Sequence, residues 1–176
     1  PVGAAAPHGG ERYCYLTDKP GDKPAFTVEA HTGIKGDGGA LHFPDAPTFR
    51  PNLTPAECLA QGIFGGCYFN PKGGKPGVFS PEEGVLIDAA EFPPEWFAGL
   101  PPAMYASRRY NSKVNAHGVK SGFAQREWET KGWMHVQDPR GWFQWFARFY
   151  QGRRTADDGR QISRWAACAG VKGRWR

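Results

Sequence analysis

The sequence predicts an α+β fold: an irregular N-terminal arm, a small sheet, and a helical C-terminal half ending in a helix hairpin. Three observations carry this expectation. A capping box opens a helix at Thr54, an aromatic stripe at helical spacing runs from Trp142 to Phe149, and Gly and Pro interrupt the first 47 residues too often for long elements. With 176 residues the chain suits one domain, divided here into an arm over 1–47 and a globular body over 48–176.

Within the arm, apolar and polar residues alternate over Arg12–Leu16 and Ala25–Ala30, which predicts two short strands. Order is expected from Phe49. Thr54-Pro55-Ala56-Glu57 pairs a cap hydroxyl with a Glu three residues on and a Pro at the first helical position. It predicts a helix over Pro55–Gln61 stopped by Gly62. Ile63–Phe69 reads as a strand whose Gly65-Gly66 pair marks a bulge or a close backbone approach. Ser80-Pro81-Glu82-Glu83 and Pro93–Phe97 each predict a single helical turn, the second with its aromatics packed inward. Ser121 is expected to cap a helix over Gly122–Lys131, and Asp138 one over Pro139–Gln151. On the latter, Trp142, Trp145, Phe146 and Phe149 form the apolar stripe, and Arg140, Gln144, Arg148 and Gln151 lie opposite. Thr155 is expected to cap the last helix, about Ala156–Cys168, which would bury Ile162, Trp165, Ala166 and Ala169. Asp157 and Asp158 would sit in its first turn, where the helix dipole favours them.

Charge is distributed unevenly. Met104–Arg176 holds 15 Lys and Arg against 5 Asp and Glu, a net of +10, whereas Pro1–Ala103 has a net of −5. The same C-terminal stretch holds six of the seven tryptophans. A basic, aromatic-rich half points to a polyanionic partner, nucleic acid foremost. No apolar run approaches the roughly 18 residues a membrane span needs, and the first residues lack a signal-peptide core. A soluble, intracellular chain is expected, with its compartment unassigned. N-terminal processing would account for a start at Pro1. The four cysteines lack C-x-x-C spacing, so free and mostly buried thiols are expected, with no metal and no cofactor.

Gly152-Arg153-Arg154-Thr155 is the strongest candidate site, because guanidinium forks hold phosphate bidentately. Arg108, Arg109, Lys113, Lys120, Arg140 and Arg148 would extend it into a phosphate-binding surface. The alternative is that Arg153 and Arg154 are solvated or pair with the nearby Asp157 and Asp158. Trp133 and Tyr110, in loop sequence flanked by cations, are the expected base-stacking residues. Catalytic signals are weak. Asp157, Asp158, Glu127 and His117 are the acid–base candidates, but each has a structural explanation or no visible partner.

The run Gly141-Trp-Phe-Gln-Trp145, Arg148-Phe-Tyr150, Gly152-Arg-Arg154, Asp157-Asp158, Arg160-Gln-Ile162 and Arg164-Trp165 resembles a family of uncharacterised eukaryotic proteins. Phe49-Arg-Pro-Asn-Leu-Thr-Pro55, Phe64-Gly-Gly66 and Lys131-Gly-Trp133 share the resemblance. It spans about Phe49–Arg174, implies a domain start near residue 48, and carries no activity with it. From the residues alone the leading expectation is a nucleic-acid-binding module, for DNA or RNA or another polyanion. An enzyme acting on a phosphorylated or nucleotide-like substrate is the second expectation. A subunit meeting an acidic protein partner is the third, and the two halves neutralising each other within one chain is the fourth.

Overall fold

The computed structural model describes residues 26–28, 34–70, 92–120, 125–131, 138 and 140–174. The readings at Arg12–Leu16, Ser80–Glu83, Ser121, Trp133 and the first residues lie outside them. The fold class is α+β. Three short strands, β1 (Phe26–Val28), β2 (Ile34–Lys35) and β3 (Leu41–His42), precede helix α1 (Pro55–Ala60). Single 3-10 turns follow at Pro94–Phe97, Pro102–Met104 and Ser112–Val114, then α2 (Gln125–Thr130), α3 (Trp142–Tyr150), β4 (Arg153–Thr155) and α4 (Asp158–Ala169). β1 and β4 pair antiparallel with Thr27 opposite Arg154, and β2 and β3 pair with Lys35 opposite Leu41. The N-terminal arm therefore supplies a strand to the C-terminal half. It also supplies Leu41 and Phe43, both fully buried, to the core.

At α1 the sequence is followed closely. The Thr54 hydroxyl accepts from the Glu57 amide at 3.1 Å, and the Glu57 carboxylate accepts from the Thr54 amide at 2.8 Å. Two orphan donors at the helix start are thus satisfied reciprocally. Cys58 and Leu59 point into the core from this helix. The turn at Pro94–Phe97 also forms, with Trp96 and Phe97 half-buried against the core.

Aromatic rings build that core. Phe49 lies within 5.2–6.2 Å, centroid to centroid, of Phe43, Trp142, Trp145, Phe146, Phe149 and Trp165, mostly edge to face. Edge-to-face packing suits the ring quadrupole and adds about 0.5–1.5 kcal/mol per pair to plain burial. A second set, Phe64, Tyr68 and Phe143, joins it through α3.

Several expectations are corrected. Ile63–Phe69 is a succession of turns, because Gly62, Gly65 and Gly66 all take positive φ and fold the chain back on itself. α3 begins at Trp142, and Asp138 does not cap it. Its first turn is capped by Tyr68, whose buried hydroxyl accepts from the Gln144 amide at 2.9 Å and donates to the Arg140 carbonyl at 2.7 Å. The Gln144 side chain reaches back to the Arg140 amide at 2.9 Å, completing the cap from within the helix. Gln144 and Arg148, on the face opposite the aromatic stripe, are fully buried, so both sides of α3 meet protein. α4 starts at Asp158 rather than Ala156, with Arg153–Thr155 paired as a strand, yet Thr155 still caps the turn that leads into it: its hydroxyl accepts from the Asp157 amide at 3.2 Å, and the Asp158 carboxylate accepts from the Thr155 amide at 2.9 Å. Ile162 and Trp165 pack against the core, but Ala166 and Ala169 are exposed. Of the described cysteines, all free, Cys58 is buried, Cys67 is half-buried and Cys168 is exposed. Burial pushes the Cys58 thiol up to about 12, with Glu57 adding to the effect, so it stays protonated.

Candidate functional site

The structure separates the cations that the sequence grouped. Arg148 and Arg153 are buried around one carboxylate, Asp138, at 2.9 and 2.6 Å. Burial alone would raise the Asp138 carboxyl, but the Arg153 and Arg148 guanidinium groups outweigh it and hold the carboxyl below its ordinary range. This corrects both the phosphate-binding role expected of Arg148 and Arg153 and the capping role expected of Asp138. A phosphate cannot reach a guanidinium that is 1–3% exposed and held by a buried partner.

Arg154 is also committed. It pairs with Asp45, donates to the Phe149 and Arg153 carbonyls at 2.8 and 2.9 Å, and stacks 3.7 Å above the Phe149 ring. Asp45 belongs to the N-terminal arm, so acidic and basic halves do neutralise each other at this point. Arg140 donates to the Tyr68 carbonyl at 2.6 Å and the Asn70 carbonyl at 3.4 Å, pinning that turn to the start of α3. Asp157 is paired with Arg160 and accepts from Gln161 at 2.9 Å. Asp158 accepts from Trp145 Nε1 at 2.8 Å, the Thr155 amide at 2.9 Å and the Thr155 hydroxyl at 3.0 Å. Burial raises its carboxyl, with these donors opposing. Both aspartates are therefore tied into the framework around α4. Glu127 is exposed on α2, and His117 is exposed on a different segment.

Arg108, Arg109, Lys113 and Lys120 remain. All four are exposed on the single segment 107–120, and their side chains have no hydrogen-bond or ion-pair partner among the described residues. The platform beneath this segment is the glycine-rich turn. A Cβ at Gly62 would lie 2.1 Å from the Val114 carbonyl oxygen, one at Gly66 2.1 Å from the Ala103 carbonyl oxygen, and one at Gly65 2.4 Å from the Tyr110 ring. Only glycine takes the positive φ and tolerates these approaches. Backbone bonds fasten the two segments: Ser107 N to Gly66 O at 2.8 Å, Asn111 N to Gly65 O at 2.9 Å and Ala116 N to Gln61 O at 2.8 Å.

Asn115 locks the loop from within. Its buried amide donates to the Ile63 carbonyl at 3.1 Å and the Val119 carbonyl at 2.9 Å, and its oxygen accepts from the His117 amide at 2.8 Å. The Tyr110 hydroxyl donates to the same Val119 carbonyl at 2.7 Å. The Tyr110 ring, expected to stack on bases, instead packs on Gly65 as part of the scaffold. Ser107, Arg108, Arg109, Tyr110 and Asn111 line an open depression of about 570 Å³ on this loop. The described residues that line it supply two guanidinium groups, a serine hydroxyl and an asparagine amide, all groups that can hold an anion. The sequence reading passed over Asn115; its signal was the nearby glycine cluster, whose close approach requires a partner with satisfied polar groups.

Among the described residues no three His, Cys, Asp or Glu side chains gather as a metal site, and no helix is long and apolar enough to cross a membrane. Comparison with family models, with curated proteins and with solved structures returns no match.

Proposed function

We propose that this chain is a nucleic-acid-binding module that holds phosphates on the 107–120 loop, through Arg108, Arg109, Lys113 and Lys120. One observation carries the reading: four exposed, unpaired cations are presented by a loop fixed at both its glycine platform and its Asn115 centre. A cation that is already solvated and needs no internal partner gives up nothing within the fold when it meets a phosphate. A loop that is already ordered loses little conformational freedom on binding. Arg108 and Arg109 supply planar forks, whereas Lys113 and Lys120 supply mobile point charges. With Tyr110 committed to the scaffold, the contacts of this loop are to the backbone of the ligand, so its binding is independent of sequence.

The test is fluorescence anisotropy with labelled single-stranded and duplex oligonucleotides over a salt series. Four phosphate contacts give a slope of log affinity on log salt of about −3 for single strands and about −3.6 for duplex. Replacing all four cations by Ala should flatten the slope nearly to zero, with the far-ultraviolet circular dichroism unchanged. A wild-type slope near zero, or a fourfold variant that keeps the wild-type slope, would refute the assignment.

A further inference from the structure

The 107–120 loop carries one polar group that the framework does not use. Ser112 is the exposed first residue of the 3-10 turn Ser112–Val114. Its hydroxyl has no partner among the described residues. Other serines of the described surface differ in this respect: Ser107 Oγ donates to the Ala103 carbonyl at 3.1 Å, and Ser163 Oγ to the Gly159 carbonyl at 2.8 Å. Arg109 lies three residues before Ser112 and Arg108 four, both exposed beside the open depression. The residues between, Tyr110 and Asn111, are in neither helix nor strand. An unpartnered hydroxyl preceded at that spacing by accessible guanidinium groups is what a protein kinase with an acidic substrate groove selects, since the arginines pair with its carboxylates.

The geometry points to Ser112 as a phosphorylation site that switches off polyanion binding by the loop. The proposal rests on the phosphate-binding reading above. Ser112 Oγ attacks the γ-phosphorus of ATP, the bond from that phosphorus to the departing ADP oxygen breaks, and the hydroxyl proton passes to the kinase's catalytic carboxylate. The product carries about −1.5 to −2 charges at neutral pH, next in the chain to Lys113 and on the same loop as Arg108 and Arg109. Those charges cancel about two of the four cations that the ligand would meet. By counterion release each lost contact on a single strand weakens binding about fivefold at 0.1 M salt, so two contacts give about 25-fold.

The full chain is treated with ATP, Mg²⁺ and an arginine-directed protein kinase, and the product is mapped by peptide mass spectrometry. Binding of a labelled single-stranded oligonucleotide is then compared before and after treatment, for wild type and Ser112→Ala. The expected result is a phosphate on Ser112, about 25-fold weaker binding at 0.1 M salt, and a Ser112→Ala protein whose affinity the kinase does not alter. Failure to modify Ser112 on the folded chain overturns the proposal, as does modified protein that binds within twofold of the unmodified form. An unmodified wild type that binds nothing at low salt refutes the phosphate-binding reading, and the switch falls with it. Because modification is read by mass, the two failures are distinguishable.

Discussion

Asp138→Asn separates two accounts of the same residue. As a helix N-cap, Asp138 could be replaced by Asn with a change of a few tenths of a kcal/mol, since the two residues cap about equally well. In the structure its carboxylate is instead the shared partner of Arg148 and Arg153, with all three side chains 1–3% exposed. At an effective dielectric near 20, each pair contributes about 4 kcal/mol of attraction at about 4 Å. Removing the negative charge forfeits both attractions and leaves two like charges facing each other, while relief of carboxylate desolvation returns part of the loss. The amide keeps one acceptor for one guanidinium and turns an NH₂ donor towards the other. A net loss of about 3–5 kcal/mol follows, as is general when one member of a buried ionic cluster is removed. For a chain of this size that corresponds to a fall of roughly 6–20 °C in Tm. Urea denaturation followed by circular dichroism, with a thermal scan alongside, reads both quantities. A loss below about 1 kcal/mol with native spectra would refute the buried-cluster account. Asp138→Leu combined with Arg148→Met and Arg153→Met should recover most of the loss, because a well-packed apolar replacement strands no charge.

Tyr68→Phe should cost about 2–4 kcal/mol by urea denaturation, because the Gln144 amide and Arg140 carbonyl lose their 2.9 and 2.7 Å partner while the ring packing is retained; a change below 0.5 kcal/mol would show that the helix needs no such cap. Gly66→Ala places a methyl 2.1 Å from the Ala103 carbonyl oxygen at φ 79°. It should lose about 2–4 kcal/mol and faster amide exchange should appear across Ser107–Asn111; an unchanged exchange pattern would argue against the glycine platform. Asp158 supplies a pH test. Its folded carboxyl is raised above the ordinary 3.8 by burial, so the folded chain keeps a proton that the unfolded chain releases, and this group's contribution to stability falls as pH rises from 3.8. Asp158→Asn removes that dependence. Its stability relative to wild type should therefore improve as pH rises above 3.8, and a difference that stays constant with pH would contradict the raised carboxyl. Asp138, depressed by its arginines, has the opposite sign: its contribution is complete above the ordinary carboxylate range and is lost as pH falls through the lower folded value.

Local chemistry was legible wherever neighbours in the chain suffice. Thr54 and Glu57 are three residues apart and cap α1 as their spacing requires. The aromatic stripe of α3 was readable as a buried face, and the turn at Pro94–Phe97 formed where Pro and paired aromatics indicated it. Gly65-Gly66 correctly signalled a close backbone approach, though not within a strand: positive φ at both residues excludes extended geometry. The candidate site was half legible. Arg108, Arg109, Lys113 and Lys120 were among the expected contacts, but so were Arg140, Arg148, Arg153 and Arg154, which the fold uses internally.

What the sequence determined by itself was the inventory and the local geometry: an α+β class, a capped first helix, an aromatic core and a basic C-terminal half. What only the tertiary structure decided was which charges face water. A polar stripe opposite an apolar one reads as a solvent face, because the 3.6-residue period reports side-chain direction and not what lies beyond it. Asp45 meets Arg154 across 109 residues of chain, and Tyr68 caps α3 from 76 residues before Gln144. Contacts at such separation have no signature in local spacing. They form where burial of the aromatic core brings the segments together, and that same burial removes four arginines from the surface and leaves the 107–120 loop to present its cations.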